Sequence, residues 1–186
     1  MGQTDCGDID NMKPKMRLKT TPITFQGWDA ASPADSFRAF AAHIHGQAKE
    51  VLLRDGNHSE MFFFMPLSGD GHIVLWRGDD RDLEAGWLRR HITEHYVYGM
   101  IHIVEAWMRM ATGPGDHILK QIMAGEIKVS ELQPEHRQEG LMTSAQSRDG
   151  WAVSWIDEIL RVGGKPLLGT CTEFADFRGR FGKVFG

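Results

Sequence analysis

Residues 98–110 read Tyr-Gly-Met-Ile-His-Ile-Val-Glu-Ala-Trp-Met-Arg-Met, and this stretch decides the fold class that the sequence predicts. Side chains alternate between the two faces of a strand, and here both alternating sets are mainly apolar. A strand that is apolar on both faces lies inside a sheet and has neighbours on both sides. We therefore predict a central strand from Tyr98 to Met110 and assign the other elements outward from it.

Two hairpins are predicted around this strand. Glu60–Pro66 and His72–Trp76 are apolar runs joined by Ser-Gly-Asp-Gly, a turn-forming sequence. Glu139–Ser147 and Trp151–Leu160 flank Arg-Asp-Gly, in which Asp-Gly is a strong hairpin signal. Hairpins on both sides of the central strand predict a mostly antiparallel sheet of about five strands.

Two main helices complete the predicted α+β fold. The first begins at Ser32, a common N-cap residue, and ends at Asp55-Gly-Asn57. The second follows Asp79 and Asp80, either of which can cap it. Its predicted buried stripe comprises Leu83, Trp87, Leu88, Ile92 and Tyr96. We predict that both helices pack on one face of the sheet.

The length of 186 residues suits one domain, which we place at residues 26–186. Residues 1–25 have no helical periodicity and predict a mobile tail with one edge strand at its end. Residues 111–138 form a long excursion that contains a short helix near Ile118–Met123. From Pro166 onward we expect irregular structure held by aromatic side chains.

The composition restricts the class of protein. A net charge of -4 lacks the basic footprint of a general nucleic-acid-binding domain. The two cysteines, Cys6 and Cys171, form no disulfide framework, which fits a reducing cytoplasm. The longest apolar run, Met61–Leu67, is shorter than a membrane span. We expect a cytoplasmic protein with no cofactor and no membrane partner, and we leave protein partners and self-association open.

One segment carries a family resemblance. Glu105-Ala-Trp-Met108, Pro134-Glu-His136 and Ser147-Arg-Asp-Gly150 follow one another at intervals along the chain. This order resembles an uncharacterised family of bacterial and phage-like proteins, over roughly residues 55–150. The resemblance implies the same order of elements and assigns no biochemical activity.

His91-Ile-Thr-Glu94-His95 matches the H-x-x-E-H motif of inverted zinc peptidases. A helix places the two histidines one turn apart, and Glu173 is a candidate for the third ligand. Against this, the chain has nine histidines, so the pattern arises easily by chance, and those peptidases are much larger. We predict that His91 and His95 form no catalytic metal site, and we expect no metal elsewhere.

Glu105 is the most unusual residue of the central strand, because its neighbours are apolar. A buried carboxylate is costly unless it is paired or protonated. We predict that Glu105 is largely buried and contacts one of His136, Arg137 and Arg148. These four residues are the candidate catalytic set, and a purely structural ion pair is the alternative.

Three functions are consistent with the sequence. The favoured one is a non-catalytic accessory or interaction domain of phage or mobile-element origin, since no complete catalytic set is present. The second is a small hydrolase or transferase centred on Glu105. The third is a metal-dependent hydrolase that uses the motif at residues 91–95. Whether the chain is an enzyme stays open.

Overall fold

The computed structural model describes residues 19–76, 81–109, 113, 115–175 and 184–185. They form an α+β structure around a seven-stranded antiparallel sheet with the order β1-β3-β2-β4-β5-β6-β7. The strands are β1 (Lys19–Thr24), β2 (Met61–Pro66), β3 (Asp70–Leu75), β4 (Val97–Met108), β5 (Gln138–Ser147), β6 (Ala152–Val162) and β7 (Lys165–Ala175). The described helices are α1 (Pro33–Asp55), α2 (Arg81–Glu94) and α3 (His117–Met123), and short 3-10 turns lie at Val129–Glu131 and Pro134–His136. None of these helices has the length and apolar character needed to cross a membrane.

The central position of β4 is confirmed. It pairs with β2 on one side and with β5 on the other, both antiparallel. Both predicted hairpins are present as well, as β2–β3 and β5–β6. The α+β class therefore follows from the sequence, whereas the count of about five strands is lower than the seven observed because it lacks β7 and did not include the N-terminal edge strand.

The two main helices lie on opposite faces of the sheet, so the prediction that they share one face is wrong. α1 packs with Ile101 and Ile103 of β4, which define the α1 face. α2 packs with Phe62, Phe64 and Met100, which define the α2 face. The cause is the run of large apolar residues in β2 and β4, since a strand that is apolar on both faces needs cover on both.

The chain from Pro166 onward is not irregular, as the sequence suggested, but forms edge strand β7 against β6. The missed signal is Gly163-Gly164, whose φ angles are 60° and 80°. A two-residue type I′ turn requires positive φ at both positions, and two glycines supply it without strain. Residues 176–183, which carry several of the expected aromatics, lie outside the described residues.

The second helix also ends earlier than its apolar stripe predicts. α2 stops at Glu94, and Tyr96 is 78% exposed with a φ of 49°. The chain turns sharply there because β4 begins at Val97. The predicted caps Asp79 and Asp80, and the side chain of Leu83, lie outside the described residues.

The predicted edge strand near the N-terminus is confirmed as β1, and the short helix of the excursion is confirmed as α3. Residues 1–18 lie outside the described part of the chain. Gly99, inside β4, lies directly beneath the Phe37 side chain of α1. A Cβ atom built there meets the Phe37 ring at 2.4 Å, so glycine lets the helix pack close to the strand.

Candidate functional site

α1 carries two polar side chains over the part of the sheet formed by β5, β6 and β7. His45 and Lys49 lie one helical turn apart, so they point in the same direction. Below them, Asp157 of β6 and Cys171 of β7 are cross-strand partners on the α1 face. Together with Thr143 of β5, these residues form what we call the His45–Cys171 cluster.

Three side chains of this cluster converge on one point. His45 Nε2 lies 3.4 Å from Asp157 Oδ2 and 3.9 Å from Cys171 Sγ. The ligand atoms of all three side chains lie within 4.8 Å of one another. An imidazole, a carboxylate and a thiol in this arrangement are a ligand set for a single metal ion.

The His45 ring is held in one orientation. Its Nδ1 lies 3.2 Å from Thr143 Oγ1, and the Trp155 ring stacks on it with centroids 5.0 Å apart. If Nδ1 carries the proton and donates to Thr143, Nε2 directs its lone pair at Asp157 and Cys171. Burial lowers the pKa of His45 and outweighs the nearby Asp157 carboxylate, which acts to raise it. The lowered pKa favours the neutral ring that a metal ion requires.

Asp157 is the most buried member, with a side chain that is 1% exposed. Lys49 Nζ lies 2.9 Å from its Oδ1, so an ammonium group neutralises the carboxylate. His45 Nε2 lies 3.4 Å from its Oδ2, and the Cys171 thiol is a further hydrogen-bond partner of the carboxylate. A buried carboxylate requires such partners, and here two of them are themselves possible metal ligands.

Cys171 is exposed and does not have the environment of a catalytic nucleophile. Burial of the thiol and the adjacent Asp157 carboxylate raise its pKa, whereas nucleophilic cysteines have a lowered pKa. The geometry also differs from a Cys-His-Asp triad, because Cys171 and Asp157 both approach His45 at Nε2. In a triad, the carboxylate binds the nitrogen on the far side of the ring.

Glu105 takes part in a different arrangement on the same face of the sheet. Arg161 Nη2 lies 2.7 Å from Glu105 Oε1 and 2.6 Å from Glu139 Oε1. The same guanidinium donates from Nη1 to the Gly56 carbonyl at 2.8 Å, and the backbone N–H of His58 donates to Glu105 Oε2 at 3.0 Å. We call these residues the Arg161 network.

The two carboxylates of this network have opposite pKa shifts. Burial and a hydrogen bond with Glu139 raise the pKa of Glu105, against the influence of Arg161. The hydrogen bond from Arg161 is the main reason that the pKa of Glu139 is lowered. The network ties β4, β5 and β6 to the end of α1, which is a structural role.

The expected partners of Glu105 were wrong, because its basic contact is Arg161. His136 is exposed at the end of a 3-10 turn, and Arg148 is exposed in the β5–β6 turn. Arg137 lies over the Trp107 ring, 4.3 Å from its centroid, and donates to the Ser130 carbonyl. The predicted strand ended at Leu160, one residue before Arg161, so Arg161 was not among the predicted partners of Glu105.

The H-x-x-E-H motif begins on α2, as predicted, but His95 lies one residue beyond the end of the helix. His72 of β3 joins His91 and His95 there. Glu173, the expected third ligand, accepts a hydrogen bond from Trp155 Nε1 at 2.9 Å on the α1 face. The sheet therefore separates Glu173 from α2. The expectation that His91 and His95 form no catalytic metal site stays a prediction.

Sequence reasoning missed the His45–Cys171 cluster because its members are far apart in the chain and belong to no local motif. The one available signal was helical spacing, which places His45 and Lys49 on a common side of α1. No family model matches the chain, and no curated protein or solved structure matches it.

Proposed function

We propose that this chain is a zinc-binding domain and that His45, Asp157 and Cys171 hold the metal ion. The observation that carries the proposal is the convergence of an imidazole nitrogen, a carboxylate oxygen and a thiol sulfur within 4.8 Å. The proposal departs from the sequence-based expectation of a domain without a metal.

The ligand types favour zinc over the other common divalent ions. Zinc is bound by Cys, His and Asp side chains, whereas magnesium and calcium prefer oxygen ligands alone. Metal binding replaces the proton of the Cys171 thiol, so the raised pKa describes only the metal-free state. A sulfur ligand also gives the site a spectroscopic signature that an oxygen site lacks.

The surroundings of the ligands support the same proposal. Metal-bound histidines usually donate their second ring nitrogen to a neighbouring group, and Thr143 is in place for His45. Lys49 contacts Oδ1 of Asp157 and leaves Oδ2 directed at His45, as in one-oxygen coordination. Each of these partners orients a ligand without occupying the point of convergence.

Three protein ligands leave a fourth position on a tetrahedral ion. Cys171 is exposed at the edge of the sheet, so solvent reaches this side of the cluster. A water molecule, a small molecule or a side chain of a partner can complete the coordination. The site is therefore of the open type, in which the fourth ligand decides between a structural and a hydrolytic role.

Cobalt substitution tests the proposal. Tag-free protein is loaded with one equivalent of Co²⁺, and thiolate-to-cobalt charge transfer is followed in the near ultraviolet. We expect the band in the wild type and in Cys6→Ser, the matched thiol control, and we expect its loss in Cys171→Ser. A band that persists in Cys171→Ser, or that never appears in the wild type, contradicts the proposal.

A second candidate function follows from the surface of the β6–β7 hairpin. Leu160, Val162 and Leu167 are exposed there, and Val162 is 64% exposed. Within the described residues β7 ends the sheet, and an edge strand offers its free hydrogen-bonding groups to another strand. These features support an accessory or interaction domain, of the phage-like family that the sequence resembles, in which two copies pair along β7.

Light scattering during size-exclusion chromatography tests the second candidate. We expect a concentration-dependent dimer for the wild type and a monomer for Leu167→Lys. Leu67→Lys is the control, because Leu67 is comparably exposed in the β2–β3 turn, and β4 and β5 separate β2 from the hairpin. A wild type that is monomeric at every concentration, or a Leu167→Lys dimer, excludes pairing along β7.

A further inference from the structure

Three histidines meet on the α2 face, away from the cluster proposed to bind zinc. His91 lies in the last turn of α2 and His95 directly after its end, with ring centroids 4.3 Å from each other. His72 reaches them from β3, with its ring centroid 4.9 Å from His91 and 5.5 Å from His95. The Nε2 atoms of His72 and His91 are only 2.6 Å apart.

Aromatic side chains form the inner wall of this group. The Trp87 ring stacks on His91 at 4.6 Å, and the Phe64 ring contacts His91 at 4.5 Å and His72 at 5.3 Å. His95 forms the outer side and is exposed. The two inner rings are thus fixed by packing, whereas the third is free to rotate toward an incoming ion.

The electrostatics of the group favour neutral rings. Burial and the neighbouring His95 and His72 lower the pKa of His91 to about 4. Burial and His95 likewise lower the pKa of His72. The hydrogen bond between the two Nε2 atoms likewise requires a ring nitrogen with a free lone pair.

The 2.6 Å contact between the two Nε2 atoms is a hydrogen bond, in which one neutral ring donates its N–H to the lone pair of the other. Two adjacent ligands of a tetragonal Ni²⁺ or Cu²⁺ ion, at about 2.0–2.1 Å from the metal, lie roughly 2.9 Å apart. An ion that replaces the bridging proton therefore needs only a small increase in the distance between the two packed rings. His95 is exposed, so a rotation of its side chain can direct a third nitrogen at the same ion.

We propose that His72, His91 and His95 form a second metal site, which binds a borderline transition-metal ion such as Ni²⁺ or Cu²⁺ through three imidazoles. Imidazole ligands select such ions over magnesium and calcium. The absence of a thiolate from this ligand set distinguishes it from the His45–Cys171 cluster. The two sites lie on opposite faces of the sheet, so either proposal can fail without the other.

Titration calorimetry with NiCl₂ tests the site in tag-free Cys171→Ser protein, in which the first cluster has lost its thiol. We expect one Ni²⁺ per chain. Loss of an outer partner alone weakens metal sites by about 10–100-fold, so replacing a ligand should weaken binding at least about tenfold. His72→Gln, His91→Gln and His95→Gln should each show this loss, whereas Glu94→Gln, an exposed neighbour on α2, should bind as before.

Each variant is first checked by circular dichroism, and His95→Gln is the safest because His95 is exposed. Unchanged Ni²⁺ affinity in His72→Gln would mean that His91 and His95 bind the ion without His72, and it would overturn the three-histidine proposal. Unchanged affinity in His95→Gln, or no Ni²⁺ binding at all, also overturns it. Loss of the cobalt–thiolate band in Cys171→Ser concerns the other site and leaves this one unaffected.

Discussion

The Arg161 network and the His45–Cys171 cluster lie on the same face of the sheet, and both contact α1. In the network, Arg161 donates to Glu105, to Glu139 and to a backbone carbonyl. In the cluster, Asp157 is more deeply buried than any of these groups, and its carboxylate faces the His45 nitrogen and the Cys171 sulfur with all three ligand atoms within 4.8 Å of one another.

The difference separates charges that hold the fold together from charges that remain available to a ligand. A guanidinium with several acceptors has little capacity left for an incoming group. Three ligand atoms directed at one point, each supported from behind, have capacity that an ion can use. Glu105 of the central strand thus has a structural role. The His45–Cys171 cluster, which no sequence motif indicates, is the better binding site.

The largest expected effect comes from removing the cation of the network. Arg161→Met leaves Glu105 and Glu139 as neighbouring carboxylates without their shared partner. We expect a loss of about 3 kcal/mol in the free energy of unfolding, at the low end for a broken buried pair because the groups are partly exposed. Urea denaturation measures it, with the exposed Arg148→Met as control at about 0.5 kcal/mol or less. Equal effects of the two substitutions contradict the structural role.

The cluster should respond to metal where the network does not. Zinc that binds only the folded state adds about 2.7 kcal/mol at one hundred times its dissociation constant. We expect Cys171→Ser to abolish this gain while changing the metal-free stability by about 0.5 kcal/mol or less, because the side chain is exposed. Arg161→Met should retain the gain. Thermal melts with zinc and with chelator compare the three proteins, and equal zinc stabilisation of Cys171→Ser counts against the site.

Glu105→Ala distinguishes a structural carboxylate from a strained site residue. The substitution leaves a hydrogen-bond donor of Arg161 and the His58 N–H without their acceptor. We expect a loss of about 1–2 kcal/mol in the free energy of unfolding. Denaturation curves of the variant and the wild type measure it. An unchanged or higher stability is instead typical of a site residue held under strain.

The smallest effect is a pH dependence of the carboxylate pair. The pKa of Glu105 is raised in the folded protein, so its ionisation above the unfolded value opposes folding. Glu105→Gln removes that opposition. The stability of the variant relative to the wild type should therefore increase from pH 4 to pH 7, by about 0.5 kcal/mol or less after solvent screening. A relative stability that falls over this range reverses the assigned sign.

The sequence predicted the features that depend on local patterns. Apolar residues on both faces of residues 98–110 identified β4 as internal, and Asp149-Gly150 located the β5–β6 turn. The same pattern in β2 predicts that both faces of the sheet are packed against other elements. The prediction that both helices lie on one face is inconsistent with this pattern. β7 was missed because its residues are mainly exposed, and exposed edge strands lack the alternation that marks a half-buried one.

The candidate site was less accessible to sequence analysis. Charge compensation and metal ligation depend on which distant residues the fold brings together. The cluster forms only because α1 crosses the β6–β7 pair, which brings together His45, Asp157 and Cys171. The sequence around each of these residues contains no motif that indicates the contact. Arg161 was missed for a smaller reason, since the predicted strand ended at Leu160, two residues before β6 ends at Val162.

X-ray absorption at the zinc edge shows whether the Cys171 sulfur binds the ion. The sample is tag-free His91→Gln protein loaded with one equivalent of zinc, so that the three-histidine group does not compete for the ion. We expect one sulfur scatterer at about 2.3 Å together with nitrogen and oxygen scatterers at about 2.0–2.2 Å. A first shell of nitrogen and oxygen alone, without sulfur, would contradict the proposed zinc site.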